Sequence, residues 1–183
     1  QRVMRIDGSA AMLNSHPSGV QTLRHDLSSG LPDWPEPPQL LVSSFVLHWL
    51  PDPPQQLRSW VEALPDQGWL ALAVPIAGSF PQWHQAARDA KQPCTALTMP
   101  ARDQLIATLP DGIIQLEQCL SFTQRALNPL KLLRPMSSIG ASVTNGGRLS
   151  PGQWKAILRA WPKSNHQRRF ALTWRMLILM VKR

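Results

Sequence analysis

Two largely apolar runs, Leu40–Leu47, broken only by Ser43-Ser44, and Trp69–Ile76, constrain this chain more than any other feature. A strand with one wet face alternates apolar and polar residues. A run without alternation at its start is expected where both faces of a sheet are covered. Between the runs, Asp52 precedes two prolines, the pattern of a helix cap followed by residues that lack the amide a first turn leaves unused. Leu57, Trp60, Val61 and Leu64 then recur at i, i+3, i+4 and i+7, one helical stripe. Strand, helix and strand in that order predict a parallel sheet with crossovers.

The same grammar extends both ways. Residues 2–7 read as a short strand ending at Asp7, and a helix starts at 8–13. Residues 20–27 read as a second strand, ending near Asp26. The Pro-, Gly- and Ser-rich segment 28–38 is a loop, expected to join strands of one sheet rather than two domains. Beyond residue 76, helices are expected at 79–90 and 100–109, and a strand at 112–124. A helix at 128–141 should break at Pro135. A Ser-capped helix follows at 150–161 with the stripe Trp154, Ile157, Leu158 and Trp161, and a last strand at 170–182. The fold class is α/β, a doubly wound sheet. With 183 residues, one domain is expected, a cofactor-binding core over 1–76 and substrate or lid helices with the last strands over 77–183.

Composition narrows the chemistry. Two cysteines, Cys94 and Cys119, stand far apart, and five scattered histidines form no metal-type spacing, so no metal is expected. The first residues do not have the form of a leader, and the run Met176–Val181 is too short to cross a bilayer, so a cytoplasmic protein away from membranes is expected. The formal charge of +8 asks for an acidic partner. Its densest piece is only Arg168-Arg169, too little of a stripe for nucleic acid to be favoured.

Ligands of open parallel sheets bind at the carboxyl ends of the strands. Three such ends offer Asp7, Asp26 followed by Leu27, and Ser43-Ser44. A carboxylate there accepts charge-assisted hydrogen bonds from ribose hydroxyls or an adenine amine, and hydroxyls meet the polar end of an amino acid. The set suits an adenosine compound with an amino-acid tail. Each residue alone also reads as a cap, a turn or a strand end. His48 and Trp49, directly after the run, read either as packing or as the wall of a pocket.

The segment "SSFVLHWLPDPPQQLRSWVEAL" (43–64) resembles the fourth-strand region of class I S-adenosylmethionine-dependent methyltransferases. The resemblance is nearest to the malonyl-[acyl-carrier-protein] O-methyltransferases of biotin biosynthesis. "RHDLSSGLP" (24–32), "PIAGSFPQWHQAA" (75–87), "LLRPMSSIGAS" (132–142), "GGRLSPGQWKAILRAWP" (146–162) and "FALTW" (170–174) match further family segments in order. The resemblance implies a Rossmann-like sheet, mostly parallel with an antiparallel C-terminal strand. Relative to the family, the first strand, its helix and the glycine-rich turn are expected to be lacking. The chain also departs from the pattern at Gln39, at Asp66-Gln67-Gly68, at Ser137 and at Trp174, which stands where the family has tyrosine.

The resemblance further implies S-adenosyl-L-methionine as cofactor, held by Asp7, Asp26, Leu27, Ser43 and Ser44. The implied acceptor is the free carboxylate of malonyl-acyl carrier protein, with His48 and Trp49 lining the pocket and Arg134 holding the malonyl carboxylate. The carrier protein is acidic, and Arg125, Lys131, Arg148 and Arg159 are candidate docking residues. The alternatives are a methyltransferase for another small acid, a non-catalytic remnant of the fold, and nucleic-acid binding.

Overall fold

The computed structural model describes residues 3–138, 149–163 and 169–183. Strand β1 (Met4–Asp7), helix α1 (Ala10–Asn14) and strand β2 (Gln21–Arg24) form a β-α-β unit, with β1 and β2 parallel. Ser9 caps α1, its hydroxyl accepting from the Met12 amide. Strand β3 (Leu40–Ser44), helix α2 (Pro53–Glu62) and strand β4 (Trp69–Pro75) form a second such unit, also parallel. Helices α3 (Pro81–Asp89) and α4 (Arg102–Ile106) follow. Then come strand β5 (Ile114–Ala126), helices α5 (Pro129–Ser138) and α6 (Pro151–Ala160), and strand β6 (Phe170–Lys182).

The strands form two sheets, β1-β2 and β3-β4-β6-β5, in which β6 runs antiparallel to both of its neighbours. The expectation that one sheet holds the strands on both sides of the 28–38 loop is therefore corrected: among the described residues no strand joins β1 or β2 to β3. The reading of the 40–47 run as a strand buried on both faces is corrected with it. β3 is shorter, lies at the edge of its sheet, and leaves Leu40 57% and Val42 71% exposed. An apolar run reports the capacity to be buried; a neighbouring strand and a covering helix decide whether it is.

Alternation along the strands assigns two faces to the four-stranded sheet. Leu70, Leu72 and Val74 pair with Val181, Leu179 and Leu177, and share one face. α2 and α4 cover that face, where Leu57, Trp60, Val61, Leu64, Leu105 and Leu109 complete a core. The predicted stripe of α2 is thus buried in full. Asp52 caps α2 as expected, its carboxylate accepting from the Gln55 amide at 3.2 Å. A second core gathers Phe80, Trp83, Leu132, Ile157, Trp161 and Leu172 where β6 extends past the carboxyl end of β4. Ser150 and Gln153 form a capping box on α6, and the Trp161 indole donates to the Ala171 carbonyl at 3.0 Å.

Helix α5 does not break at Pro135; it continues to Ser138. The amide missing at Pro135 leaves the Lys131 carbonyl without its helical donor, and Lys131 is exposed, so water can meet it. The Gly turn expected at 139–141, the docking candidate Arg148 and the basic residue Arg168 lie outside the described residues. No helix among the described residues is long and apolar enough to cross a membrane.

Candidate functional site

The carboxyl end of β3 is where the chain does something unusual. The strand stops at Ser44, and Phe45 adopts φ 57°, a left-handed conformation that costs a bulky side chain about 1 kcal/mol or more. Its amide still donates to the Ala73 carbonyl at 2.9 Å, so the turn remains tied to β4. This places the Phe45 ring edge-on to Trp174, with centroids 5.7 Å apart, and 6.2 Å from the His48 ring. Trp174 also meets Phe80 edge-on at 4.4 Å. His48 and Trp49, in a short 3-10 turn, lie 4.7 Å apart. β3, β4 and β6 thus converge on one aromatic wall at the ligand-binding end of the sheet.

Two polar atoms near the end of β3 are buried without a hydrogen-bond partner, Ser43 Oγ and His48 Nδ1. Buried polar atoms are nearly always paired, so each such orphan can meet a water or a ligand group; Trp60 Nε1, Trp83 Nε1 and Thr95 Oγ1 are orphaned in the same way elsewhere. His48 is 6% exposed, and burial pushes its pKa down to about 4. It is therefore neutral at pH 7, with one ring nitrogen a donor and the other an acceptor. Trp49 is 38% exposed and stands at the rim. Ser43 and Ser44 point to opposite faces of the sheet, Ser43 toward the α2 side and Ser44 toward the other, where it is exposed.

Asp7 and Asp26 sit at the ends of the neighbouring strands β1 and β2. Asp7 Oδ1 accepts from the Ser9 amide at 2.7 Å, and its backbone carbonyl accepts from the His25 amide. Asp26 caps a single 3-10 turn at Leu27–Ser29, accepting from the Ser28 amide at 2.9 Å. That hydrogen bond, helped by the Ser28 hydroxyl and the nearby His25, holds the Asp26 carboxyl below its usual range. Asp26 thus caps its turn and Asp7 braces the turn into α1, and both side chains are at the surface, where donors can approach them. Leu27 opens the turn and is half-buried. The structure brings Ser43, Phe45, His48 and Trp49 together, and Asp7 with Asp26 on adjacent strands. It places Arg134 elsewhere, exposed on α5, which packs on β5 and β6.

Sequence reasoning missed three residues. Phe45 was read only as part of a strand; no pattern signals a positive φ at a phenylalanine. Ser79 is buried and stitches the end of β4 to β6: its hydroxyl accepts from the Arg175 amide at 2.9 Å and can donate to the Ile76 carbonyl, also 2.9 Å away. Gly78 precedes it at φ 90°, and a Cβ there would come within 2.9 Å of the Arg175 side chain. Trp174 was noted only as a substitution. Among the described residues no group of three or more His, Cys, Asp or Glu could hold a metal ion.

Known structures share this fold. A protein of Bacillus halodurans, provisionally described as a methyltransferase, superposes over 100% of this chain and 83% of its own, with TM-score 0.63 and 12% identity. The YcgJ protein of Bacillus subtilis superposes over 98% of this chain and 81% of its own, with TM-score 0.61 and 9% identity. The chain has the Rossmann-like methyltransferase fold. At such identities the likeness speaks for the fold alone. In sequence, the chain is 27% identical over 164 residues to the biotin biosynthesis bifunctional protein BioCD of Bordetella avium; the match takes in 88% of this chain and 30% of that protein's length. No family profile matches the chain.

Proposed function

We propose that the chain takes part in S-adenosylmethionine-dependent methyl transfer to the free carboxylate of malonyl-acyl carrier protein, an early step of biotin synthesis. The observation that carries the reading is the carboxyl end of β3: a strained Phe45 and two orphaned buried polar atoms, Ser43 Oγ and His48 Nδ1, in a sheet of methyltransferase fold. The sequence likeness to BioCD supports biotin synthesis as the setting, and the malonyl acceptor follows from the family resemblance of the segments quoted above.

In this reading residues 1–76 hold the cofactor and 77–183 shape the acceptor side of a single domain. Asp7 accepts from the ribose hydroxyls, Asp26 and Leu27 meet the adenine, and Ser43 and Ser44 meet the amino-acid end. S-adenosylmethionine, when bound, supplies a methyl group on a cationic sulfur. The malonyl carboxylate is already ionised near pH 7 and needs no base. This agrees with the neutral, proton-poor His48. His48 and Trp49 exclude water from the reacting groups and fix their approach. Positioning of this kind can supply about 7–11 kcal/mol of the barrier. Arg134, which the resemblance assigns to the malonyl carboxylate, lies on α5 outside the aromatic wall, so in this reading it meets the acceptor from the α5 side.

The test is incubation with S-adenosylmethionine and malonyl-acyl carrier protein, read by mass spectrometry as the gain of one methylene on the acyl group. The expected result is a gain that Asp7→Ala abolishes by weakening cofactor binding. Cofactor binding without a gain would move the acceptor to another small acid, for which Trp174 in the aromatic wall leaves room. Failure to bind cofactor would overturn the enzyme reading and leave a non-catalytic fold.

A further inference from the structure

A second cleft opens on the same end of the sheet as the aromatic wall. It lies between the start of α5, helix α6 and the start of β6, with a volume of about 530 Å³. Leu127, Leu130, Trp154 and Leu158 supply its apolar lining; Leu127 is 69% and Leu130 50% exposed. Lys155 and Arg159 line it too, and among the described residues no carboxylate does. The two cations are four residues apart on α6, hence neighbours on one helix face, and both are exposed. β6 begins at Phe170, which lines the cleft, and four residues later reaches Trp174 in the wall. Arg125, by contrast, points to the face of β5 opposite Ala126, which packs on the second core.

We propose that this cleft docks an acidic amphipathic helix of the carrier protein whose acyl group is methylated. The inference rests on the function proposed above and adds to it the docking surface. An apolar floor beside two cations one turn apart matches a helix that carries carboxylates one turn apart beside an apolar anchor. Charge of one sign at the rim steers an acidic partner and specifies its orientation. Docking here sets the carrier at the end of the sheet where its acyl group must be delivered.

The experiment uses the full chain and unacylated acyl carrier protein, whose binding needs no methyl transfer. Titration calorimetry at low salt compares the wild type with the double charge reversal Lys155→Glu/Arg159→Glu and, separately, with Leu130→Asp on the floor. The expected result is at least a tenfold loss of affinity in both, with unchanged thermal midpoints and unchanged S-adenosylmethionine binding. Wild-type affinity should also fall as salt rises. Equal affinity in wild type and variants would overturn the docking surface. So would concentration-dependent self-association that the variants abolish while carrier binding is absent, which would assign the cleft to a second copy of the chain. Methyl transfer measured alongside separates the two readings. Transfer that the variants leave untouched sinks the surface and keeps the function; variant-sensitive docking without any transfer sinks the function and keeps the surface.

Discussion

At the scale of the residue, His48 shows how burial turns a common side chain into a sensor of protonation. The folded chain holds its pKa near 4, against about 6.5 when exposed, because an imidazolium would have to be desolvated. The unfolded state therefore binds more protons between those values. The stability contributed by neutral His48 is complete above about pH 6.5 and is lost as pH falls toward 4. His84 is shifted in the same direction, by burial first and by Arg88 second. Urea unfolding followed over this window should show stability falling with pH, and His48→Phe, which keeps an aromatic ring but cannot titrate, should flatten the slope. An unchanged slope in that variant would show that His48 is not buried as described. Asp26 is also held below its ordinary range, here by the Ser28 amide that donates to its carboxylate, which favours the anion.

At the scale of the element, the end of β3 decides what the strand delivers. The backbone reverses at Phe45 because φ becomes positive, and the ring goes to Trp174 and His48 rather than into the sheet. A glycine adopts that conformation freely, whereas alanine suffers the same backbone strain as phenylalanine without its contacts. Phe45→Gly should therefore be more stable than Phe45→Ala by about 1 kcal/mol, the reverse of the usual order inside a strand or helix. Thermal or urea unfolding of the two variants checks this; an alanine variant as stable as the glycine variant would mean the turn relaxes once the ring is gone. Elements with strong local signals matched their reading. Helix α2 starts after Asp52 and buries Leu57, Trp60, Val61 and Leu64, and α6 starts with the Ser150 capping box. Pro135 misled because it stands in the second half of a short helix, and the carbonyl it deprives belongs to the exposed Lys131.

At the scale of the whole molecule, the two faces of the four-stranded sheet are treated differently. One is sealed by α2 and α4. The other carries Leu40, Val42, Leu116, Leu120, Phe122 and Met180, all more than a third exposed. Near the start of β6 this same face is covered by α3, α5 and α6, but toward the amino end of β4 it is open. Exposed apolar patches of this kind bind apolar probes. The 183-residue chain should bind a hydrophobic dye in its folded state, and Leu120→Thr/Phe122→Thr should lower the signal while shifting unfolding by no more than about 0.5 kcal/mol per site. Dye binding that persists undiminished would place the patch elsewhere.

The identity and order of the elements were legible in the chain because periodicity, capping residues and prolines act within a few residues of where they stand. The strand ends that carry Asp7, Asp26 and Ser43-Ser44 were legible for the same reason. Sheet membership was not: pairing joins residues far apart in the chain, and nothing local distinguishes an apolar strand at an edge from one in the middle. The strained Phe45, the Ser79 stitch to Arg175, the orphaned Nδ1 of His48 and the cleft lined by Lys155 and Arg159 belong to that second kind. Each arises only where elements remote in sequence pack together, since burial, partner geometry and pKa are properties of a neighbourhood in space.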